Sequence, residues 1–297
     1  MTVLVTGAGG FAGSHLLELL QARGPVTGWT RKDADLLDRA AVDRAVAALK
    51  PTHVYHVAGS PHVAESWKDT SVPLAANIMA THHLLEALGK HSPGARVVVV
   101  GSATVYSAKP SPIAEHDTIG PTSPYAISKF AQEQLALRSV AEDRLEVIVA
   151  RPFNHTGPRQ GAEFAAASFA KQVADIERGQ QSPAIHVGNL EAQRDLSDVR
   201  DVVSAYVALM DGGEKGQAYN VASGVGRPIR AVLDGLIARA RVPVTVEADP
   251  ARMRPHDIQI LVGDASKLKA KTGWSPRISF DQMLDDLLAY WRTRPSA

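Results

Sequence analysis

Tyr125 and Lys129 are the side chains of this sequence whose types and spacing most clearly permit acid–base chemistry. They lie four positions apart in the segment PYAISK, and residues four apart lie on the same face of a helix. A neighbouring ammonium lowers the pKa of a tyrosine, whose unperturbed value is about 10. The pair therefore predicts a tyrosine that exchanges a proton with a substrate near neutral pH. The spacing Y-x-x-x-K also arises by chance, so its value as evidence for a catalytic pair depends on the residues around it.

Two hydroxyl side chains, Ser102 and Thr104, directly follow the apolar run RVVVV at 96–100. A run without polar alternation is typical of a parallel strand that is buried on both faces. Open α/β sheets bind their ligands at the carboxyl ends of such strands. The two hydroxyls are therefore predicted to lie at a binding edge, although a strand-end turn is the alternative interpretation for Ser102.

A glycine cluster, Gly7, Gly9, Gly10 and Gly13, interrupts the segment VLVTGAGGFAGSHL between an apolar run and a helical pattern. Glycine permits a positive φ and has no Cβ to obstruct an approaching phosphate. The N-terminus of the following helix presents free N–H groups and a partial positive charge. The strand–turn–helix context predicts a pyrophosphate site, whereas a flexible turn is the alternative.

Short β-branched runs alternate with Ala- and Leu-rich stretches through the first half of the chain. The predicted strands are 3–6, 26–29, 53–57, 97–100 and 147–150, and the predicted helices are about 11–23, 39–49, 71–90 and 124–140. This alternation predicts right-handed βαβ units and a parallel sheet covered on both faces. The expected fold class is α/β, with a doubly wound sheet of the Rossmann type.

The regular alternation of strand-like and helix-like segments ends after Arg151, where proline and glycine become frequent. We predict a dinucleotide-binding domain over 1–153 and a smaller, mixed α/β substrate lobe over 154–297. Later segments, at about 184–222, are expected to return to the first domain.

The composition excludes several classes of function. The 297 residues carry a formal net charge of +1, so no broad positive surface favours nucleic acid or an anionic membrane. No apolar run approaches the roughly 20 residues that span a bilayer, and the first residues do not resemble a secretory signal. There is no cysteine, and the histidine pairs lack metal-ligand spacing. We expect a cytoplasmic protein without a metal ion.

The glycine spacing G-x-x-G-x-x-G, together with the Tyr/Lys pair and Ser102, resembles the extended short-chain dehydrogenase/reductases. The resemblance implies hydride transfer with a nicotinamide cofactor, in which Ser102 holds the reacting oxygen and Tyr125 exchanges its proton. Lys129 would bind the nicotinamide ribose and tune Tyr125. Sugar 4,6-dehydratases of this family carry an acid where this chain has Thr104, which favours a reductase or an epimerase.

The segment GWTRK ends the second predicted strand and bears on the choice of cofactor. Arg31, with Thr30 or Lys32, suits a 2′-phosphate, so NADP(H) is preferred, while the nearby Asp33 leaves NAD(H) open. The resemblance assigns further cofactor contacts to Gly7, Gly10, Phe11, Gly13, Asp35, Leu36, Ala58, Gly59, Tyr125 and Lys129.

The second half resembles the GDP-sugar branch of these enzymes, through the segments 151–161, 193–202 and 251–274. The resemblance implies that Asn154 contacts the sugar diphosphate and that Arg194 and Arg254 clamp it. Arginine forks suit a diphosphate because they make bidentate, charge-assisted bonds. Asp257 matches an acid near the nucleotide ribose, and Arg159 is a weaker phosphate or base candidate. The alternative for Arg194 is an ion pair with a neighbouring aspartate.

The expected activity is NAD(P)H-dependent reduction of the 4-keto group of a nucleotide-linked 6-deoxyhexose. The resemblance points to GDP-4-dehydro-6-deoxy-D-mannose, reduced to GDP-D-rhamnose or to its 4-epimer GDP-6-deoxy-D-talose, in a homodimer. A nucleotide-sugar 4-epimerase with tightly bound NAD is the first alternative. A non-catalytic dinucleotide-sensing protein is a more distant one.

Overall fold

A computed structural model describes residues 1–252 and 258–294 of the chain. The strands are β1 (Val3–Thr6), β2 (Thr27–Trp29), β3 (His53–His56), β4 (Arg96–Val100), β5 (Glu146–Pro152), β6 (Asn154–Thr156), β7 (Ala184–Val187), β8 (Gln193–Asp198), β9 (Ala218–Val221), β10 (Gly226–Pro228), β11 (Thr245–Ala248) and β12 (Ile260–Leu261). The α-helices are α1 (Phe11–Gln21), α2 (Arg39–Leu49), α3 (Ser71–Pro73), α4 (Ala80–His91), α5 (Pro124–Glu142), α6 (Ala165–Glu177), α7 (Val199–Gly212), α8 (Ile229–Ile237), α9 (Ser266–Thr272) and α10 (Phe280–Arg292). A π-helical stretch, Leu74–Met79, joins α3 to α4, and short 3₁₀ turns cover Glu65–Trp67, Ala103–Val105 and Pro250–Arg252.

Six parallel strands form the central sheet, in the order β2-β1-β3-β4-β5-β9. The predicted α/β class with a doubly wound parallel sheet is confirmed. The strand order reverses direction between β1 and β3, and ligands bind at such a switch point in open sheets. The glycine turn follows β1, and Ala58 and Gly59 follow β3, so both lie at the predicted binding edge.

Alternate residues of the strands face opposite layers of helices. Val3 and Val5 of β1 join a core cluster with residues of α1 and α7. Leu4, between them, joins a cluster with residues of α2 and α4. This period of two, with apolar residues on both faces, explains why the strands read as continuous apolar runs.

The second half of the chain contributes to both the central sheet and a separate lobe. β9 lies beside β5 at the edge of the central sheet, and α7 packs against that sheet. β7 instead pairs with β11, and β8 lies between β10 and β12 in a smaller sheet. Helices α6, α8 and α10 pack around a core of their own. The domain boundary near 153 stays a prediction.

No helix among residues 1–252 and 258–294 has the length and apolar character needed to cross a membrane.

Candidate active site

A cavity of about 490 Å³ lies at the carboxyl edge of the central sheet. The glycine turn forms one end of it, and the segments after β4 and β5 form the other. The predicted residues that line it are Gly7, Gly10, Phe11, Gly13, Thr30, Arg31, Asp35, Leu36, Ala58, Gly59, Ser102, Thr104, Tyr125, Lys129 and Asn154. The fold therefore brings the predicted cofactor and catalytic residues to one site.

The glycine turn is packed so closely that side chains at two of its positions would collide with backbone. Gly7 has a φ of +72°, and a Cβ there would lie 2.7 Å from the amide nitrogen of Ala58. A Cβ at Gly13 would lie 2.0 Å from the carbonyl oxygen of Gly7. The turn thereby sets the N-terminus of α1 directly behind β1, as a pyrophosphate site requires. This cradle fits the dinucleotide that the sequence predicts.

In the loop after β2, Arg31 and Asp33 are the basic and acidic candidates for contact with the cofactor ribose, and they have different surroundings. The backbone N–H and the hydroxyl of Thr30 both donate to Asp33 Oδ2, at 2.8 and 2.6 Å. These bonds lower the pKa of Asp33 and commit its carboxylate to the turn. Arg31 lines the cavity, whereas Asp33 is not among the lining residues. The arrangement favours a 2′-phosphate over a free 2′-hydroxyl.

The hydroxyl groups of the predicted catalytic set lie on two segments that meet at the sheet edge, the turn after β4 and the start of α5. Ser102 Oγ is 2.9 Å from Thr104 Oγ1 and accepts a hydrogen bond from the backbone N–H of Thr104. Tyr125 is in the first turn of α5, whose N-terminus is capped by the side chain of Ser123. The Ser102 hydroxyl lies near enough to Tyr125 to influence the pKa of its phenol, so the two predicted partners face each other at the cavity.

Burial raises the pKa of Tyr125, and the nearby hydroxyl of Ser102 acts in the opposite direction. The sequence predicted a lowered pKa, caused by the ammonium of Lys129. The direction differs because burial of Tyr125 itself disfavours the phenolate. Burial also lowers the pKa of Lys129, to about 7. A tyrosine that keeps its proton suits a general acid.

The substrate-side predictions have different outcomes. Asn154 lines the cavity. Arg159 lies against α1 instead, where Nη2 donates to Glu18 Oε2 at 2.6 Å. Arg194 is on β8, and its Nη1 donates to the carbonyl oxygen of Gln193; neither arginine is among the lining residues. Arg254 and Asp257 lie outside the described residues.

Several lining residues were not predicted from the sequence. The ring of His155 stacks on Phe11, with centroids 5.9 Å apart. Phe164 also lines the cavity and stacks on His62 of the first half of the chain. Tyr206 of α7 is buried and lines the cavity, and its hydroxyl has no hydrogen-bond partner among the described residues. An unpartnered buried hydroxyl at this cavity is consistent with a ligand that supplies the missing bond. Only the position of His155 beside Asn154, just after a strand, could have drawn attention to it.

Within the described ranges, no group of three or more His, Asp or Glu side chains is placed to hold a metal ion.

Comparison with known proteins identifies the family. Residues 27–287 match the sequence profile of the family described as GDP-mannose 4,6 dehydratase. The chain belongs to the GDP-mannose 4,6-dehydratase family. The resemblance to extended short-chain dehydrogenase/reductases is thereby confirmed.

Proteins similar to this chain include enzymes with different reactions. The chain is 36% identical to GDP-6-deoxy-D-mannose reductase of Pseudomonas aeruginosa, over 98% of this chain and 97% of that protein. The structure of RMD from Pseudomonas aeruginosa, complexed with NADPH, superposes with a TM-score of 0.92 at 34% identity, over 99% of this chain and 100% of that one. A UDP-glucose 4-epimerase of Thermus thermophilus, in complex with NAD, has a TM-score of 0.88 at 28% identity, over 99% of each chain.

Proposed function

We propose that this protein uses NADPH to reduce the 4-keto group of a GDP-linked 6-deoxyhexose. The substrate that the resemblance favours is GDP-4-dehydro-6-deoxy-D-mannose. The observation that carries the proposal is the meeting of Ser102, Tyr125 and Lys129 at the cavity, with Thr104 where a dehydratase has an acid. A threonine hydroxyl is a poor base for removing the proton that water loss requires, so the site is suited to hydride transfer without loss of water.

The protein's own groups would act on the ketone oxygen. Bound NADPH supplies the hydride. Ser102 donates a hydrogen bond to the oxygen on which negative charge develops. Tyr125 delivers its proton to that oxygen, and the ammonium of Lys129 stabilises the phenolate that remains.

The choice of NADPH rests on Arg31. Its side chain lines the cavity, while the neighbouring Asp33 is bound by Thr30. We expect Arg31→Ala to raise the KM for NADPH about tenfold or more and to leave the KM for NADH nearly unchanged. Arg44→Ala is the matched control, because Arg44 is exposed on α2 and is not among the lining residues.

The substrate's diphosphate is assigned to the side of the cavity formed by Asn154. The assignment of Arg194 and Arg254 to a diphosphate clamp stays a prediction. So do the GDP base and the configuration of the product at carbon 4.

The deciding experiment follows NADPH absorbance with freshly made GDP-4-dehydro-6-deoxymannose, with NADH in parallel and the product identified by NMR. Consumption of one NADPH per sugar supports the reductase, and the NMR spectrum distinguishes rhamnose from talose. Interconversion of UDP-glucose and UDP-galactose over bound NAD, without net cofactor loss, would replace the proposal with a 4-epimerase.

We further propose a homodimer that forms through the face around α3 and α5. Three large apolar side chains are 45–51% exposed there: Val72, Met79 and Ile127. Exposed apolar patches of this kind are typical of association surfaces. Light scattering should give a dimer for the wild type and a monomer for Met79→Glu combined with Ile127→Glu. Val246→Glu, at an exposed site on β11, should leave the mass unchanged.

The cytoplasmic location stays a prediction.

A further inference from the structure

Lys129 is held by two neutral acceptors. Its Nζ donates to the carbonyl oxygen of Val100 and to Gln132 Oε1, both at 2.6 Å. The lysine side chain is 6% exposed and that of Gln132 is fully buried. Among the described residues, no carboxylate forms an ion pair or hydrogen bond with the lysine. A neutral acceptor orients the ammonium without cancelling its charge.

The orientation of the Gln132 amide follows from its partners. An ammonium only donates, so the oxygen of Gln132 must face Lys129 and the nitrogen must face Thr81. That nitrogen donates to Thr81 Oγ1 at 2.9 Å, and the Thr81 hydroxyl donates to the carbonyl oxygen of Asn77 at 2.6 Å. The amide therefore has a single arrangement that satisfies every partner.

The same hydroxyl ties this chain of bonds to the glycine turn. His56 Nε2 is 2.8 Å from Thr81 Oγ1, which has already given its proton to Asn77 and so accepts from the ring. Burial, with a smaller effect of the Lys129 charge, lowers the pKa of His56 to about 3, so the ring is neutral. His56 Nδ1 then accepts from the hydroxyl of Thr6, at 2.8 Å, at the end of β1.

We propose that Gln132 is a positioning residue for the reaction: its amide, fixed by Thr81, holds the Lys129 ammonium at the cavity and preserves its net charge. The catalytic lysine is thereby linked, through Gln132, Thr81, His56 and Thr6, to the turn that receives the dinucleotide. This inference rests on the proposed function for its consequence in turnover, but not for its geometry.

Two substitutions test the role in opposite directions. Gln132→Glu keeps the shape of the side chain and places a negative charge beside the ammonium, so it should raise the pKa of Lys129 by about one unit or more. Gln132→Met removes the acceptor and should lower that pKa by a similar amount. The titratable groups that face the lysine are His56 from β3, which is neutral, and Tyr125 from α5. Gln134, exposed on the same helix, provides the controls Gln134→Glu and Gln134→Met.

The measurement is the pH titration of the Lys129 ¹³Cε resonance in cofactor-free protein labelled with ¹³C-lysine, assigned by its absence in Lys129→Met. Opposite shifts in the two Gln132 variants, with none in the Gln134 variants, support the proposal. An unchanged Lys129 titration in Gln132→Glu would overturn it, even if Gln132→Met fails to fold. This readout needs neither cofactor nor substrate, so it stands apart from a failure of the proposed function.

Turnover provides a second readout in the active enzyme. The alkaline limb of the kcat profile should move upward in Gln132→Glu and downward in Gln132→Met, because the ammonium must be charged when the phenolate forms. A merely structural glutamine would lower the melting temperature in both variants without moving that limb.

Discussion

Tyr125 and Ser102 form a donor pair whose chemistry depends on burial. The tyrosine keeps its proton because burial raises its pKa. In the proposed reaction, Tyr125 as proton donor and Ser102 as hydrogen-bond donor converge on the ketone oxygen, where negative charge develops. The two hydroxyls therefore have separate roles that substitution can distinguish.

Tyr125→Phe should lower kcat by about 10² to 10⁴, because the proton donor is lost while the ring and its packing remain. NADPH binding, followed by the fluorescence of the cofactor, should be retained. Tyr290→Phe on α10, outside the cavity, should behave as wild type. Near-normal turnover by Tyr125→Phe would remove the tyrosine from the role of acid.

Lys129 makes the stability of the cofactor-free protein depend on pH. Its pKa is about 7 in the fold and about 10.4 in an unfolded chain. Between these values the unfolded state binds more protons, so the free energy of unfolding rises with pH through this window. Burial of the ammonium that the proposed reaction uses therefore costs stability at neutral pH.

Urea unfolding of wild type and Lys129→Met at pH 7.0 and 9.5 tests this linkage. The wild type should gain about 3 kcal/mol relative to the variant between these two pH values. Subtracting the change in unfolding free energy of the variant from that of the wild type cancels the contributions of the other titrating groups, which both proteins share. Parallel pH dependence in the two proteins would show that the lysine is not desolvated as described.

At the residue scale, local spacing predicted the groups that lie on one helix or one turn. Tyr125 and Lys129 were found in this way, because four positions bring them to one helix face. Gln132 was not found, since its partner Thr81 is 51 positions away and no periodicity records that contact. Arg159 was a weaker candidate for a phosphate or base contact, but its side chain binds Glu18, which lies 141 positions earlier in the chain.

The strand–turn–helix unit of β1 and α1 is the element that must be correct before any ligand binds. Its glycines allow backbone to lie against backbone, and the close approach of Gly13 to Gly7 fixes the angle between the strand and the helix. The N-terminal amides of α1 point at the cavity only because this turn is so short.

Gly13→Ala should destabilise the protein by about 3 kcal/mol or more, since the new Cβ would lie 2.0 Å from the carbonyl oxygen of Gly7. Gly212→Ala, near the end of α7, has no such contact, because its nearest neighbour would be 3.7 Å away. That control should leave stability unchanged or raise it by up to about 1 kcal/mol. Equal unfolding midpoints for both variants would contradict the described packing.

Elements of the first half were predicted well because their apolar pattern is regular. The predicted strand at 53–57 and helix at 39–49 correspond to His53–His56 and Arg39–Leu49. The second half was not resolved into elements, because its strands are short and pair with partners distant in sequence. β7, for example, pairs with β11, about 60 residues later.

At the scale of the whole molecule, a buried ion pair joins the central sheet to the segments around the cavity. Arg151 of β5 donates through Nε to Glu133 Oε2 of α5, at 2.9 Å. Its Nη1 donates to the hydroxyl of Tyr106, which donates to Asn220 of β9. The side chain of Asn220 in turn donates to the carbonyl oxygen of Ile113. One guanidinium thus supports a helix, an edge strand and a loop.

Arg151→Met should cost about 3–5 kcal/mol of unfolding free energy, because it leaves the carboxylate of Glu133 buried and unpaired. The exposed pair Arg39–Glu86 is the comparison, and Arg39→Met should change stability little. Urea denaturation of both variants is the measurement. A small loss of stability in both variants would show that the buried network does not hold the central sheet to the segments around the cavity.

The contact between α1 and the segment after β5 has a thermodynamic consequence. Phe11 stacks on His155, and His15 Nε2 donates to the carbonyl oxygen of Pro158 at 2.8 Å. The helix proposed to receive the dinucleotide therefore supports the segment that carries Asn154. We expect the affinities of the two ligands to be coupled through this contact, and such a coupling is reciprocal. The nucleotide sugar should accordingly bind more tightly to the dinucleotide complex than to the free protein. By reciprocity, bound nucleotide sugar should raise the affinity for the dinucleotide by the same factor.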